Sequence, residues 1–367
     1  MPRFTIPLRR LLLPALMSGA LLANACGSTD DCCDVGPNTA LEQSLIINFT
    51  DTVVLPTYQR LATRLTELDA SVQALRNAPT QANLDAARAA WFAARIPWEQ
   101  SEGFLFGPVD SFGYDPALDS WPVNRTDLDA VLASGDALTS TYVRNLQETQ
   151  KGFHTAEYLL FGDGGTKRPA DFNARQFEYL TAITAELKSV GDSLAGAWTQ
   201  TTDGRPPYRD TLTTAGQVGN AAYPSLQSAA QEMVGGIINI LDEVANGKIA
   251  DPYDAKDPDL VESQFAYNSL SDFTNNLRSV ENVYLGRLDG TQAQGQTLRD
   301  VVGVDSELDV RIRAEIAQSI SALAAIPEPF RESIRDPASA RNIEAAQAAI
   351  NALKNTFESQ VMPRVNR

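Results

Sequence analysis

His154 is the only histidine in the 367-residue chain, and Glu157 follows three positions on. In a helix, both side chains leave the same face. A histidine nitrogen and a carboxylate so placed can take two positions on one metal ion, as the Glu/His steps of helix-bundle metal sites do. One nitrogen among several carboxylate oxygens suits iron, zinc or manganese. A hydrogen-bonded pair or a solvated helix face is the plainer alternative. The scarcity of histidine also excludes chemistries. A zinc protease of the HExxH kind needs two histidines. All three cysteines lie within residues 26–33, so the rest of the chain offers neither a Cys–His nucleophile nor a cysteine zinc site.

Two further clusters carry charge at helical spacing. Trp91, Arg95, Glu99 and Glu102 follow steps of four, four and three in an alanine-rich segment. Buried charges need partners. Arg95 and Glu99 can pair on successive turns, which is one reading. The other is that Glu102 and Asp110 face the His154 helix and complete a ligand set of His154, Glu157, Glu102 and Asp110. The third cluster is Glu262, Ser263, Tyr267, Ser269 and Asp272. Asp259 followed by Glu262 reads as a capping box at a helix start. That reading leaves Ser263, Tyr267, Ser269 and Asp272 unexplained.

The elements that must position these groups are helical. Apolar residues recur at three- and four-residue steps over 41–75, with Pro56 expected to kink the helix. Further helices fit 82–106, 126–134, 138–150, 152–161, 171–199, 208–247, 259–286, 306–325 and 339–362. Residues 108–125 form a loop rich in proline, glycine and aromatics, long enough to carry function. No stretch shows the alternation of a strand. The sequence 76–91 resembles 335–350 at identical spacing, and 157–162 resembles 281–286 more weakly. The two offsets differ, which a permuted duplication accommodates and a simple tandem one does not. The expected fold is all-α, with two packed helical bundles over 41–203 and 204–367.

The start of the chain reads as an export signal. Arg3, Arg9 and Arg10 precede an apolar run of about a dozen residues, too short to span a bilayer. Residues 22–26 look like a lipobox ending at Cys26, the expected lipidation site; cleavage at an ordinary Ala-x-Ala signal within 23–25 is the alternative. Residues 26–40 then read as a tether, and Gly27 favours the outer membrane, facing the periplasm or the cell surface. Removing residues 1–25 takes three arginines and no acid, so the formal charge falls from −16 to −19. Such a chain does not suit nucleic acid, whose phosphates need a basic face. A carboxylate surplus suits cations, or it serves solubility alone.

Taken together, Gly152, His154 and Glu157 resemble the GxHxxE motif of imelysin-like proteins. Trp91, Arg95, Trp98, Glu99, Glu102 and the 103–110 segment resemble that family's first-bundle signature, and Ser263, Ser269, Asp272 and Gly286 its second-half signature. The resemblance covers about 42–362. It implies a site in the groove between two bundles, with His154 and Glu157 as the metal or site pair and Glu102 and Asp110 beside them. Arg95, Glu99, Ser263, Tyr267, Ser269 and Asp272 would line the groove. It also implies an iron-regulated, metal-linked role, with iron the first expectation and zinc the second. Three functions follow: a lipoprotein binding metal for iron acquisition beside iron-transport components, a metallopeptidase with Glu157 or else Glu102 as catalytic base, or a non-metal peptide or small-ligand module.

Overall fold

The computed structural model describes residues 40–367; the leader 1–25, Cys26 and the tether to residue 39 lie outside the described residues. The long helices are α1 (Leu55–Asn77), α2 (Gln81–Glu99), α3 (Gly152–Phe161), α4 (Ala174–Thr199), α5 (Leu226–Asp242), α6 (Ser269–Leu285), α7 (Glu307–Ala324) and α8 (Ala340–Thr356). The fold is all-helical: a lone bridge between Thr202 and Arg205 is the only β pairing among the described residues. No described helix is long and apolar enough to cross a membrane.

Helices α1 to α4 pack on one another, as do α5 to α8. The helix α1 buries Leu61, Leu65, Leu68, Val72 and Leu75, the stripe expected of an amphipathic helix. The two stretches that read alike in sequence begin α2 and α8, each the second arm of a hairpin, with α1 and α7 as first arms. Asn83 and Asn342 occupy equivalent places in that match, and each donates to a backbone carbonyl of the preceding segment, Ala78 and Ala325, at 2.7 Å.

Proline shapes the helices differently from expectation. The π-helical segments Phe49–Val54, Glu243–Ile249 and Phe357–Val361 are each followed within three residues by a proline: Pro56, Pro252 and Pro363. Proline lacks the N–H and crowds the carbonyl four residues back. The preceding turn widens instead, so that Leu55 donates to Thr50 and Met362 to Phe357.

Four expected helices are shorter than their patterns, the first being 138–150, which holds only Ser140–Arg144 and the 3-10 turn Glu148–Gln150. The 82–106 helix ends at Glu99, and Glu102 lies on a separate 3-10 turn, Glu102–Phe104. The 208–247 helix is broken after Tyr208–Thr213 by a loop in which Gly216 and Gly219 take positive φ, and it resumes at α5. The 259–286 helix starts only at Ser269; before it, Ser263 and Tyr267 hold positive φ. The Asp259/Glu262 capping box is not formed. Asp257 caps the short turn Pro258–Leu260, accepting the Asp259 N–H at 3.0 Å, and Glu262 is turned inward.

The two groups of helices meet where α6 crosses α2 and α5 meets the Glu102–Phe104 turn. Small residues set that seam. Gly103 donates its N–H to Ser279 Oγ at 2.9 Å, and a Cβ on Gly236 would overlap the Gly103 carbonyl oxygen. Gly236→Ala should therefore destabilise the chain by about 2 kcal/mol despite the gain in helix propensity, because the obstacle is backbone. Thermal unfolding checks this: a midpoint equal to or above the wild type would show that the seam is not tight.

Candidate metal centre

The motif glycine explains how the site is assembled. Gly152 has φ +79°, and a Cβ there would sit 2.5 Å from the carbonyl oxygen of Leu118. Its bare backbone lets the start of α3 press against the short helix Tyr114–Asp119. Asp119 Oδ1 then comes within 3.1 Å of His154 Nε2. Adding a methyl at Gly152 should push these segments apart. Gly152→Ala is expected to cost about 2–3 kcal/mol from the forbidden φ and the clash, measured by denaturant midpoint; an unchanged midpoint would refute this account.

Glu157 is fully engaged. Its Oε1 accepts the backbone N–H groups of Phe265 (2.8 Å) and Ala266 (2.7 Å), and its Oε2 faces His154 Nδ1 at 3.0 Å. The non-helical 261–268 loop aims those two N–H groups at the carboxylate, which is why that stretch is not helix. Glu157 thus fixes the imidazole by one nitrogen and leaves Nε2 facing inward. His154 Nε2 has no hydrogen-bond partner of good geometry among the described residues. Asp119 and Glu262 each bring an oxygen into a group with that nitrogen, all within 4.8 Å of one another.

Around these groups lies a buried ionic network. Arg95, on α2, is closely paired with Glu99 and Asp119, reaches Glu262 at 2.7 Å and Asp272 at 3.4 Å, and lies against the Phe153 ring. Lys248, on the π-helical segment, reaches Glu102 at 2.7 Å and Glu262 at 3.1 Å. Asn276 donates to Glu99 at 2.7 Å and to Glu102 at 2.9 Å. Ser263 donates to Asp272, and Ser269 to the Glu262 carbonyl. Trp98 Nε1 donates to Asp119 Oδ2 at 2.6 Å.

The electrostatics follow from burial and pairing. Burial alone would discharge His154, but Asp119 and the Glu157 hydrogen bond outweigh it and raise the imidazole to about 10. Burial works against ionised Asp119 as well, yet Arg95 and His154 hold its carboxyl well below the usual range. Burial and neighbouring acids push Glu99 and Glu102 well up, against the pull of nearby cations. Burial raises Asp272 to about 6 in spite of Arg95. Six carboxylates (Glu99, Glu102, Asp119, Glu157, Glu262, Asp272) thus share three cations (Arg95, Lys248, His154) inside the protein. Such an excess needs protons or a further cation.

The sequence candidates fall into three groups. His154, Glu157, Glu102, Arg95, Glu99, Ser263, Ser269 and Asp272 come together. Asp110 does not: it is exposed on the helix Pro108–Ser111, between Gly107 and Gly113, whose positive φ values turn the backbone. Tyr267 is 39 % exposed and lies over Gly164 and Gly165 with its ring 6.0 Å from Arg331, so it does not line the cluster. Asp119, Lys248, Asn276 and the inward role of Glu262 were not anticipated; the only signal was the length of segment 108–125, expected as a loop, in which Pro108–Ser111 and Tyr114–Asp119 are in fact helical.

The fold and site define an all-helical protein with a histidine–carboxylate–arginine network buried where its two groups of helices meet. This chain belongs to the imelysin family, classed with the M75 peptidases, whose sequence profile matches residues 54–357. It is 35% identical over 363 residues to iron-regulated protein A of Synechococcus elongatus, covering 99% of this chain and 96% of that one. A crystal structure from Parabacteroides distasonis, named as an iron-regulated protein A precursor, superposes with a TM-score of 0.80 at 27% identity, covering 88% of this chain and 94% of that one. An imelysin-like protein from Psychrobacter arcticum shares the fold, with a TM-score of 0.69 at 14% identity over 89% and 97% of the two chains.

Proposed function

We propose that this chain is an exported, lipid-anchored imelysin protein that binds a metal ion, iron first and zinc second, as part of iron acquisition. The observation that carries this reading is His154 Nε2 held between Asp119 (3.1 Å) and Glu262 (3.9 Å), inside a network with more carboxylates than cations. One imidazole nitrogen with hard oxygens suits ferrous, ferric or zinc ions. Glu157 stands behind the histidine as its orienting carboxylate, the arrangement common to metal-ligating histidines. Bound there, the ion would supply the missing positive charge. The relation to an iron-regulated protein supports iron. The burial of His154, Glu157 and Glu262 favours holding an ion over cleaving an extended peptide, which needs room beside the metal. The leader ending at Cys26 supports export and a membrane tether; a place beside iron-transport components is proposed only from the relation to an iron-regulated protein.

The test is metal content by elemental mass spectrometry after loading with ferrous, ferric and zinc ions and desalting. Near-stoichiometric metal in the wild type and none in His154→Ala or Glu262→Gln is expected. Absence of retained metal in the wild type would sink the reading.

A further inference from the structure

A cavity of about 310 Å³ opens between α5 and the 102–106 segment, lined by Glu102, Phe106, Glu232, Gly235, Gly236 and Glu243 among others. Three of these are acids, and they sit at different depths. Glu243 is exposed, Glu232 half-buried, and Glu102 only 5 % exposed. Glu102 is the link inward. Its Oε2 accepts from Lys248 and Asn276, while Oε1 has no hydrogen-bond partner among the described residues, although the side chain forms part of the cavity wall. From there polar groups continue toward the histidine. Lys248 Nζ stands 2.7 Å from Glu102 and 3.1 Å from Glu262, and Glu262 Oε1 stands 3.9 Å from His154 Nε2.

The π-helical segment Glu243–Ile249 ties the mouth to the interior. Its i→i+5 hydrogen bonding brings residues five apart over one another, where an α-helix would turn them away. Glu243 at the cavity and Lys248 at the buried cluster are five apart. The Glu243 carboxylate lies within electrostatic reach of Lys248, Glu262 and Asp119. Glycines at 235 and 236 keep the α5 wall free of side chains, at a cost in helix propensity.

We propose that this cavity is the entrance for a divalent cation to the His154 centre. Glu232 and Glu243 draw the ion to the mouth, Glu102 receives it, and the Lys248 ammonium is the resident charge it displaces from Glu262. The Trp121 ring, 5.4 Å from Lys248 Nζ, gives the displaced ammonium a π face to lean on. This inference rests on the metal reading above.

The experiment compares the wild type with the double variant Glu232→Gln/Glu243→Gln: neither acid is hydrogen-bonded or ion-paired to Arg95, Lys248 or His154, and a glutamine at 232 can still accept from the Tyr223 hydroxyl. Anaerobic ferrous ion is mixed with the chain, loading is followed by competition with a chromophoric chelator, and final stoichiometry is read by elemental analysis. Loading of the wild type should slow with added salt. The double variant should load about tenfold more slowly at low salt, lose most of that salt dependence, and reach the same stoichiometry. Retained iron with equal loading rates in the two proteins would overturn the entrance and leave the centre standing. Absence of retained iron in the wild type would overturn the centre and the entrance with it.

Discussion

Arg95→Met should cost the chain about 3–5 kcal/mol, among the largest effects of any single substitution in the bundle seam. Four carboxylates lose their shared guanidinium at once: Glu99, Asp119, Glu262 and Asp272. Methionine replaces the aliphatic stem without leaving a large void, so the loss is one of charge and hydrogen bonding. Lys248 cannot substitute, because its ammonium is committed to Glu102 and Glu262. Arg95→Lys should recover only part of the loss, since an ammonium cannot hold four acids in the fork geometry of a guanidinium. Denaturant unfolding measures this, with a lowered midpoint at unchanged slope. A variant as stable as the wild type would mean that the acids shed their charge by binding protons, and that Arg95 serves binding and not the fold.

The residues that gather at Arg95 show where the sequence was legible and where it was not. The helices α1, α2 and α4 announce themselves by periodicity, and the Arg95–Glu99 step and the His154–Glu157 step follow from helical geometry alone. Both pairs form, at one turn's spacing. The partners that give them meaning come from far along the chain and leave no periodic trace. Asp119 sits on a six-residue helix within an aromatic loop, Lys248 on a π-helical segment where the 3.6-residue period fails, and Glu262 in a loop whose Asp259 spacing imitates a helix cap. Asp110 misled for the converse reason. It lies close to Glu102 in sequence, but the positive-φ glycines on either side of it turn the chain outward. Proximity in sequence was a poor guide wherever glycine or proline reset the backbone.

Glu157→Gln should fold nearly as well as the wild type and yet weaken metal retention at His154 by about 100-fold, the upper end of the range for residues behind a ligand. The loss turns on one proton. In the wild type, Glu157 Oε2 accepts from His154 Nδ1, so the neutral ring that a metal requires carries its hydrogen on Nδ1 and offers Nε2. A glutamine can keep its carbonyl oxygen where the Phe265 and Ala266 N–H groups point, because they demand an acceptor. Its amide nitrogen then faces Nδ1 and donates. The neutral ring must accept there and carry its hydrogen on Nε2, toward Asp119 and Glu262, where the ion would sit. Glu157→Ala differs: the ring regains its choice of tautomer, but two backbone donors lose their buried acceptor, so this variant should lose about 2–4 kcal/mol of stability and less of its metal affinity. Two readings separate the cases. Nitrogen-resolved NMR of the imidazole should show the Nε2–H tautomer in Glu157→Gln, and elemental analysis should show the metal lost. If Glu157→Gln retained metal as the wild type does, the motif glutamate would not be setting the histidine's tautomer. If Glu157→Ala lost metal far more completely than Glu157→Gln while remaining folded, the carboxylate would be a ligand in its own right, and the pair would act on the ion together.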